Sequence, residues 1–241
     1  MLRSSQFKIS SVLFSLFTPG LTFYPNKILA ETLPKWKTIF DGDVLTLPVP
    51  GDAPPDIPRL IMSSQDKKFK IEISPSRINI SRYSRSIDDE IQVSNLIDFV
   101  KDISETYISI TKATVGRMAI VLVRYLEKTN PGMELSRHFC RDQWLEKQPL
   151  NRPENFELHA HKRYNFSSYQ INSWVRCKTG RLSFPDHEPK KIILVEQDLN
   201  TLAEDMDRKE YNINDVVNFV EIADRESDFI LNLYFPDTQN G

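Results

Sequence analysis

Val115–Tyr125 (VGRMAIVLVRY) constrains the fold more than any other stretch of the chain. Its apolar, partly β-branched run is too short to span a bilayer and too continuous for a surface strand. It therefore predicts a strand buried at the centre of a sheet. Neighbours for it are easy to find. Phe7–Phe17 is rich in Phe, Val and Ile and ends at the Pro19-Gly20 turn signal, which predicts a first strand. Phe69, Ile71 and Ile73 alternate with Lys70 and Glu72, the pattern of a half-buried strand, and Arg59–Ser63 and Arg77–Ser81 flank it. Asn155–Lys178 (NFELHAHKRYNFSSYQINSWVRCK) reads as a two-stranded hairpin, and Ile192–Val195 as a further short strand.

Helical spacing separates these strands. In Pro25–Phe40 the residues Ile28, Leu29, Leu33, Trp36, Ile39 and Phe40 recur at threes and fours, and Pro34 inside the run predicts a kink or a split. Asp88–Thr111 reads as one long helix, capped by Ser86 or Asp88, with Asp89 and Glu90 in its first turn. Met133–Leu145 reads as a helix with Leu135, Phe139 and Trp144 on one side. Ile213–Leu233 begins at Asn212 with Asp215 three residues on, a capping-box arrangement, and stops before Pro236. Asp41–Pro58, with five prolines and four aspartates, reads as a linker in which Val44–Val49 lies extended outside any central ladder. Thr201–Tyr211 is charged and reads as a surface connection.

The resulting order is strand, helix, three strands, helix, and then the same again. It predicts an α+β fold: a pseudo-duplicated antiparallel sheet with helices on one face, its halves 1–112 and 113–241 forming one continuous domain. There is no residue-level repeat. This element order resembles the saddle topology of TATA-binding-protein-like domains, a likeness of fold that implies no chemistry. Separately, Pro58-Arg59-Leu60-Ile61-Met62-Ser63-Ser64, the Ser74-Pro75-Ser76-Arg77 turn and the strand beginning at Gly116-Arg117 resemble a sporadically distributed family of uncharacterised bacterial proteins. That resemblance implies a bacterial accessory protein encoded beside defence or mobile-element genes.

Composition narrows the function classes. With 40% apolar and 27% charged residues over 241 positions, the chain is an ordinary globular protein, and a net charge of −2 gives no global field for nucleic acid or anionic membrane. Met1–Lys8 followed by Ile9–Tyr24 has the outline of a signal peptide, but serines and the Thr18-Pro19-Gly20 turn interrupt the apolar run. A strand there, and a cytoplasmic protein without membrane contact, are the expectation. Two cysteines, Cys140 and Cys177, are too few for a disulfide scaffold; free thiols are expected, with a single Cys140–Cys177 bridge as the alternative. Seven glycines argue against a phosphate cradle, and no cofactor is implied.

The chemical candidates are few. His159 and His161 share one strand face about 7 Å apart, a spacing that suits two ligands of one metal. Strand alternation assigns Cys177 to the apolar set with Tyr169, Ile171 and Val175, so it points away if the histidines lie with the polar set. His138 and Cys140 sit two apart on an expected helix and do not face each other. His187 is a loop residue. Asp41/Asp43, Asp88/Asp89/Glu90 and Glu204/Asp205/Asp207 read as loop or helix-start carboxylates. What remains is a surface. Asn155–Lys191 holds seven Lys/Arg against three acids, together with Trp174 and three histidines. The expected interface is Trp174, Arg176, Lys178, His159, His161, Arg163 and Asn172 on a sheet face without helices, engaging a protein partner. Nucleic-acid binding by the same basic and aromatic face is the alternative, and a metal-binding enzyme centred on His159 and His161 is a second. No catalytic residue and no metal ligand is assigned.

Overall fold

The run that dominates the sequence becomes β6 (Arg117–Glu127), held between two neighbours over almost its whole length. The computed structural model describes residues 1–241 except 22, 148–149, 186 and 238–241. The strands are β1 (Lys8–Phe17), β2 (Val44–Thr46), β3 (Leu60–Ser63), β4 (Phe69–Ile73), β5 (Arg77–Tyr83), β6, β7 (Glu157–Phe166), β8 (Tyr169–Leu182) and β9 (Lys190–Thr201). The helices are α1 (Pro25–Trp36), α2 (Ile97–Thr111), α3 (Pro131–Phe139), α4 (Asp142–Leu145) and α5 (Ile213–Tyr234). All nine strands form one antiparallel sheet in the order β2-β3-β4-β5-β1-β6-β9-β8-β7. Strands from residues 1–112 fill one end and those from 113–241 the other, meeting at β1 and β6. None of the described helices is long and apolar enough to cross a membrane.

Alternation divides every strand between two faces. On one face lie Val12, Phe14 and Leu16 of β1, opposite Leu122, Ile120 and Met118 of β6, all buried. Ile71 and Ile80, and Val195 and Cys177, continue that face toward the two ends of the sheet. The helices pack here. Phe99 of α2 meets Phe69 at 5.0 Å, α3 lies over β8 and β9, α5 lies over β6 and β9, and α1 packs against α2. Arg124 is the one fully charged β6 side chain on this face. It is 3% exposed and is held by Gln197, by Ser227 at 3.4 Å and by Asp228 of α5.

Several local expectations meet their physical reasons. Asn212 accepts from Asn214 N–H and Asp215 N–H while Asp215 accepts from Asn212 N–H, the reciprocal cap that starts α5. Pro34 does not split α1: its missing N–H forfeits the bond to Ala30 O, but it lies in the last turn and only two helical residues follow it. The helix expected over 88–111 begins only at Ile97. Asp89 turns instead to Arg82 at 2.5 Å and the Arg85 N–H at 3.0 Å, which pins 85–89 to β5. The helix expected over 133–145 breaks at Cys140, whose φ of −101° and ψ of 148° are extended. Trp144 is consequently 51% exposed and does not share a face with buried Leu135. Gly116 is required by a close approach, since a Cβ there would lie 1.9 Å from Met206 O in the 203–208 turn.

Candidate binding surface on the open sheet face

The opposite face of the sheet carries Arg77 and Asn79 of β5, Ser15 and Phe17 of β1, Arg117 and Val121 of β6, and Asp198 and Asn200 of β9. Asn172, Trp174, Arg176 and Lys178 of β8 and His159, His161 and Arg163 of β7 continue it. Among the described residues no helix packs on this face. It is not bare throughout. Ile87 and Phe184 fold over one end, where Phe184 meets Tyr125 with ring centroids 6.2 Å apart and Ile192 and Leu194 close the cluster.

At the other end of the same strands, polar side chains join into a chain that crosses the sheet. The Arg117 guanidinium lies 4.6 Å above the Phe17 ring, and Arg77 approaches that ring from β5 at 5.9 Å. Arg117 donates to Asn200 Oδ1 at 2.7 Å and to Thr201 O at 3.1 Å. The Asn200 amide donates to Asp198 at 2.8 Å, and Asn172 donates to Asn200 Oδ1 at 3.3 Å. His161 Nε2 stands 3.3 Å from Asn172 Oδ1. The His161 ring stacks on Trp174 at 4.2 Å and 16°, and Arg176 covers Trp174 at 5.4 Å while pairing with Glu196. Six strands thus contribute to one network.

Two carboxylates define its electrostatics. Burial pushes the Asp198 carboxyl above its ordinary value, against the Asn200 hydrogen bond and the Arg117 and Arg176 charges that draw it back. Glu204, by contrast, is held below its ordinary value by a backbone hydrogen bond and by Arg163, which it meets at 2.6 Å. Burial also draws Arg117 below the usual guanidinium value, opposed by Asp198 and Glu204.

The residues singled out from sequence sort cleanly. His159 pairs in register with Arg176 and His161 with Trp174, so the histidines do share the open face with Trp174, Arg176, Lys178, Arg163 and Asn172. Asn172 is buried at 7% exposure, within the network and below its surface. His159 faces Glu157 at 3.5 Å and is separate from the stack. Cys177 points into the core, fully buried, with its thiol pushed up to about 12 by burial, and both cysteines are free. Among the described residues no three His, Cys, Asp or Glu side chains gather in a way that could hold a metal ion. His138 is committed elsewhere: Nε2 contacts Tyr234 O at 2.7 Å and the ring stacks on Phe235. His187 is exposed in its loop.

Sequence reasoning missed Phe17, Arg77, Arg117, Glu196, Asp198 and Asn200. The available signal was polar residues at alternate positions of long strands: Glu196, Asp198 and Asn200 recur every second residue in β9, which the Ile192–Val195 segment understated. No family model matches the chain, and no curated protein matches it.

Proposed function

We propose that this chain is a non-catalytic binding protein that engages another protein through its open sheet face. The observation that supports this best is the charge arrangement. The seven cations of the Asn155–Lys191 segment do not form one patch: alternation sends Lys162, Arg181 and Lys191 to the helix side, while Arg163, Arg176, Lys178 and Lys190 take the open face. Of those four, Arg163, Arg176 and Lys190 already hold Glu204, Glu196 and Glu127. A phosphate backbone would have to displace these carboxylates, whereas a protein surface of mixed sign can complement them. Half-buried Phe17, Val121 and Trp174 supply the apolar and aromatic area on which protein interfaces rely.

The strand order supports reading the molecule as two related halves, each running strand, helix, strands, helix, with β1 and β6 side by side at the pseudo-twofold axis. That reading resembles the saddle topology of TATA-binding-protein-like domains. The likeness to a sporadically distributed bacterial family directs the search for a partner to the products of neighbouring genes in the cytoplasm.

The test uses purified wild type and the Trp174→Ala/Arg176→Glu variant. Each is mixed with candidate neighbours and, separately, with a labelled single-stranded oligonucleotide over a salt series. A partner bound by wild type and released by the variant is the expected result. Oligonucleotide binding that weakens steeply with salt and depends on Trp174 would replace the protein-binding reading with the nucleic-acid one.

A further inference from the structure

Behind the sheet edge, on the helix side, lies a cavity of about 770 Å³ that the open-face reading does not use. Its walls are the first turn of α3, the loop at 152–155 and the facing ends of β8 and β9. Gly132 lets these parts close up, since a Cβ there would lie 2.4 Å from Pro153 O and 2.5 Å from Glu154 O. The same closure brings together side chains that are remote in sequence. Arg137 comes from α3, Arg152 from the loop, and Arg181 and Lys191 from directly opposed positions of β8 and β9.

Four cations therefore line one cavity, against Glu154 as the single carboxylate among its described lining residues. None of the four has a described carboxylate within 4.0 Å, although the protein as a whole carries a net charge of −2. Arg137 and Arg152 also border a second cavity of about 480 Å³ that holds Asp142 and Glu146, and those acids do not pair with them either. Some arginines elsewhere do hold a carboxylate: Arg82 with Asp89, Arg124 with Asp228, Arg163 with Glu204 and Arg176 with Glu196. All four side chains are exposed, so water screens their mutual repulsion and leaves them free to turn toward an anion.

We propose that this cavity binds a polyphosphate group, either free or carried by a nucleotide. Guanidinium forks from three directions match tetrahedral, multiply charged oxyanions, and Lys191 adds a point charge. The volume falls in the range of small-molecule sites. No aromatic side chain is among its described lining residues, and these do not grip an attached base by stacking.

The test is titration calorimetry of the full chain with three probes: tripolyphosphate, adenosine triphosphate and adenosine. Tripolyphosphate and adenosine triphosphate are expected to bind and adenosine is not. Equal affinity of the two anions assigns recognition to the phosphates alone, and tighter binding of the nucleotide assigns the physiological source to a nucleotide. Arg152→Ala and Arg181→Ala, both at exposed positions that leave the fold intact, are each expected to weaken tripolyphosphate about tenfold, the loss of one charge-assisted contact set. Arg163→Ala on β7 is expected to leave it unchanged. Absence of tripolyphosphate binding, or binding that Arg163→Ala weakens as much as Arg181→Ala does, overturns the proposal.

Discussion

The two faces of the sheet make opposite demands on arginine, and substituting one on each face gives a quantitative contrast. Arg124, on the helix face, is 3% exposed and is the donor to Gln197, itself 1% exposed. Arg124→Ala strands the Gln197 carbonyl, at about 1–3 kcal/mol, and removes roughly three buried methylenes at about 0.8 kcal/mol each. Asp228 side-chain exposure is 69%, so its freed carboxylate returns to water and adds little. The expected loss is about 3–5 kcal/mol, in the range for removing one partner from a buried ionic group. Arg124→Met keeps the aliphatic stem and is expected to cost about half as much, and adding Gln197→Leu should recover part of that by removing the stranded carbonyl. On the open face, the Arg176 and Glu196 side chains are 32% and 25% exposed, and Arg176→Ala is expected to cost at most about 1 kcal/mol. Urea unfolding followed by far-ultraviolet circular dichroism measures both. Near-equal losses from Arg124→Ala and Arg176→Ala would refute the division of the sheet into a face that holds the fold and a face free to bind.

Asp89 and Asp198 should titrate with opposite signs. Burial pushes Asp89 up, but the hydrogen bonds from Arg82 and the Arg85 N–H, with the Arg82 and Lys68 charges, hold it below its ordinary value. Its stabilising contribution is present above the unfolded value of about 4 and is lost as pH falls through the lower folded value. Asp198 lies above its ordinary value, so its ionised form weakens the fold at neutral pH and the penalty lifts as pH falls. Asp198→Asn is therefore expected to stabilise at pH 7 and Asp89→Asn to destabilise, the differences shrinking in acid; a pH series of melting temperatures checks both. With a thiol-specific reagent, Cys140 is expected to react in the native protein and Cys177 only after unfolding, because Cys177 is fully buried. Two fast thiols would contradict its placement in the core. Gly116→Ala, which drives a methyl into Met206 O, is expected to cost about 1–3 kcal/mol, and an unchanged melting temperature would show that the 203–208 turn does not seat there.

Strand periodicity carried most of the fold into view. The alternation of Phe69, Ile71 and Ile73, and the unbroken apolar run of β6, each depend on a single property of consecutive residues. Helix ends were less legible where a tertiary partner competes with the local signal. Asp88 and Asp89 look like a helix start, yet Arg82 claims Asp89 and moves the start to Ile97. Cys140 gives no local sign of a break; the anchoring of His138 and Phe139 on Phe235 accompanies it. The surface was half legible. Alternation correctly placed Trp174 and Arg176 with the histidines and Cys177 apart, because hairpin partners are close in sequence. Phe17 and Arg117 escaped notice because their contact joins strands a hundred residues apart, and the pairing of β1 with β6 leaves no local trace. The cavity cations were visible only as part of a basic segment, which the sheet register divides between its two sides.

Photo-crosslinking tests the central claim most directly. Benzoylphenylalanine replaces Trp174 on the open face in one variant and Phe229 in another, Phe229 being 57% exposed on α5 and the most evident rival surface. After irradiation with a cognate protein partner, adducts from the Trp174 position alone are the expected result. Adducts confined to the Phe229 position would contradict it and move the binding surface to the helical side.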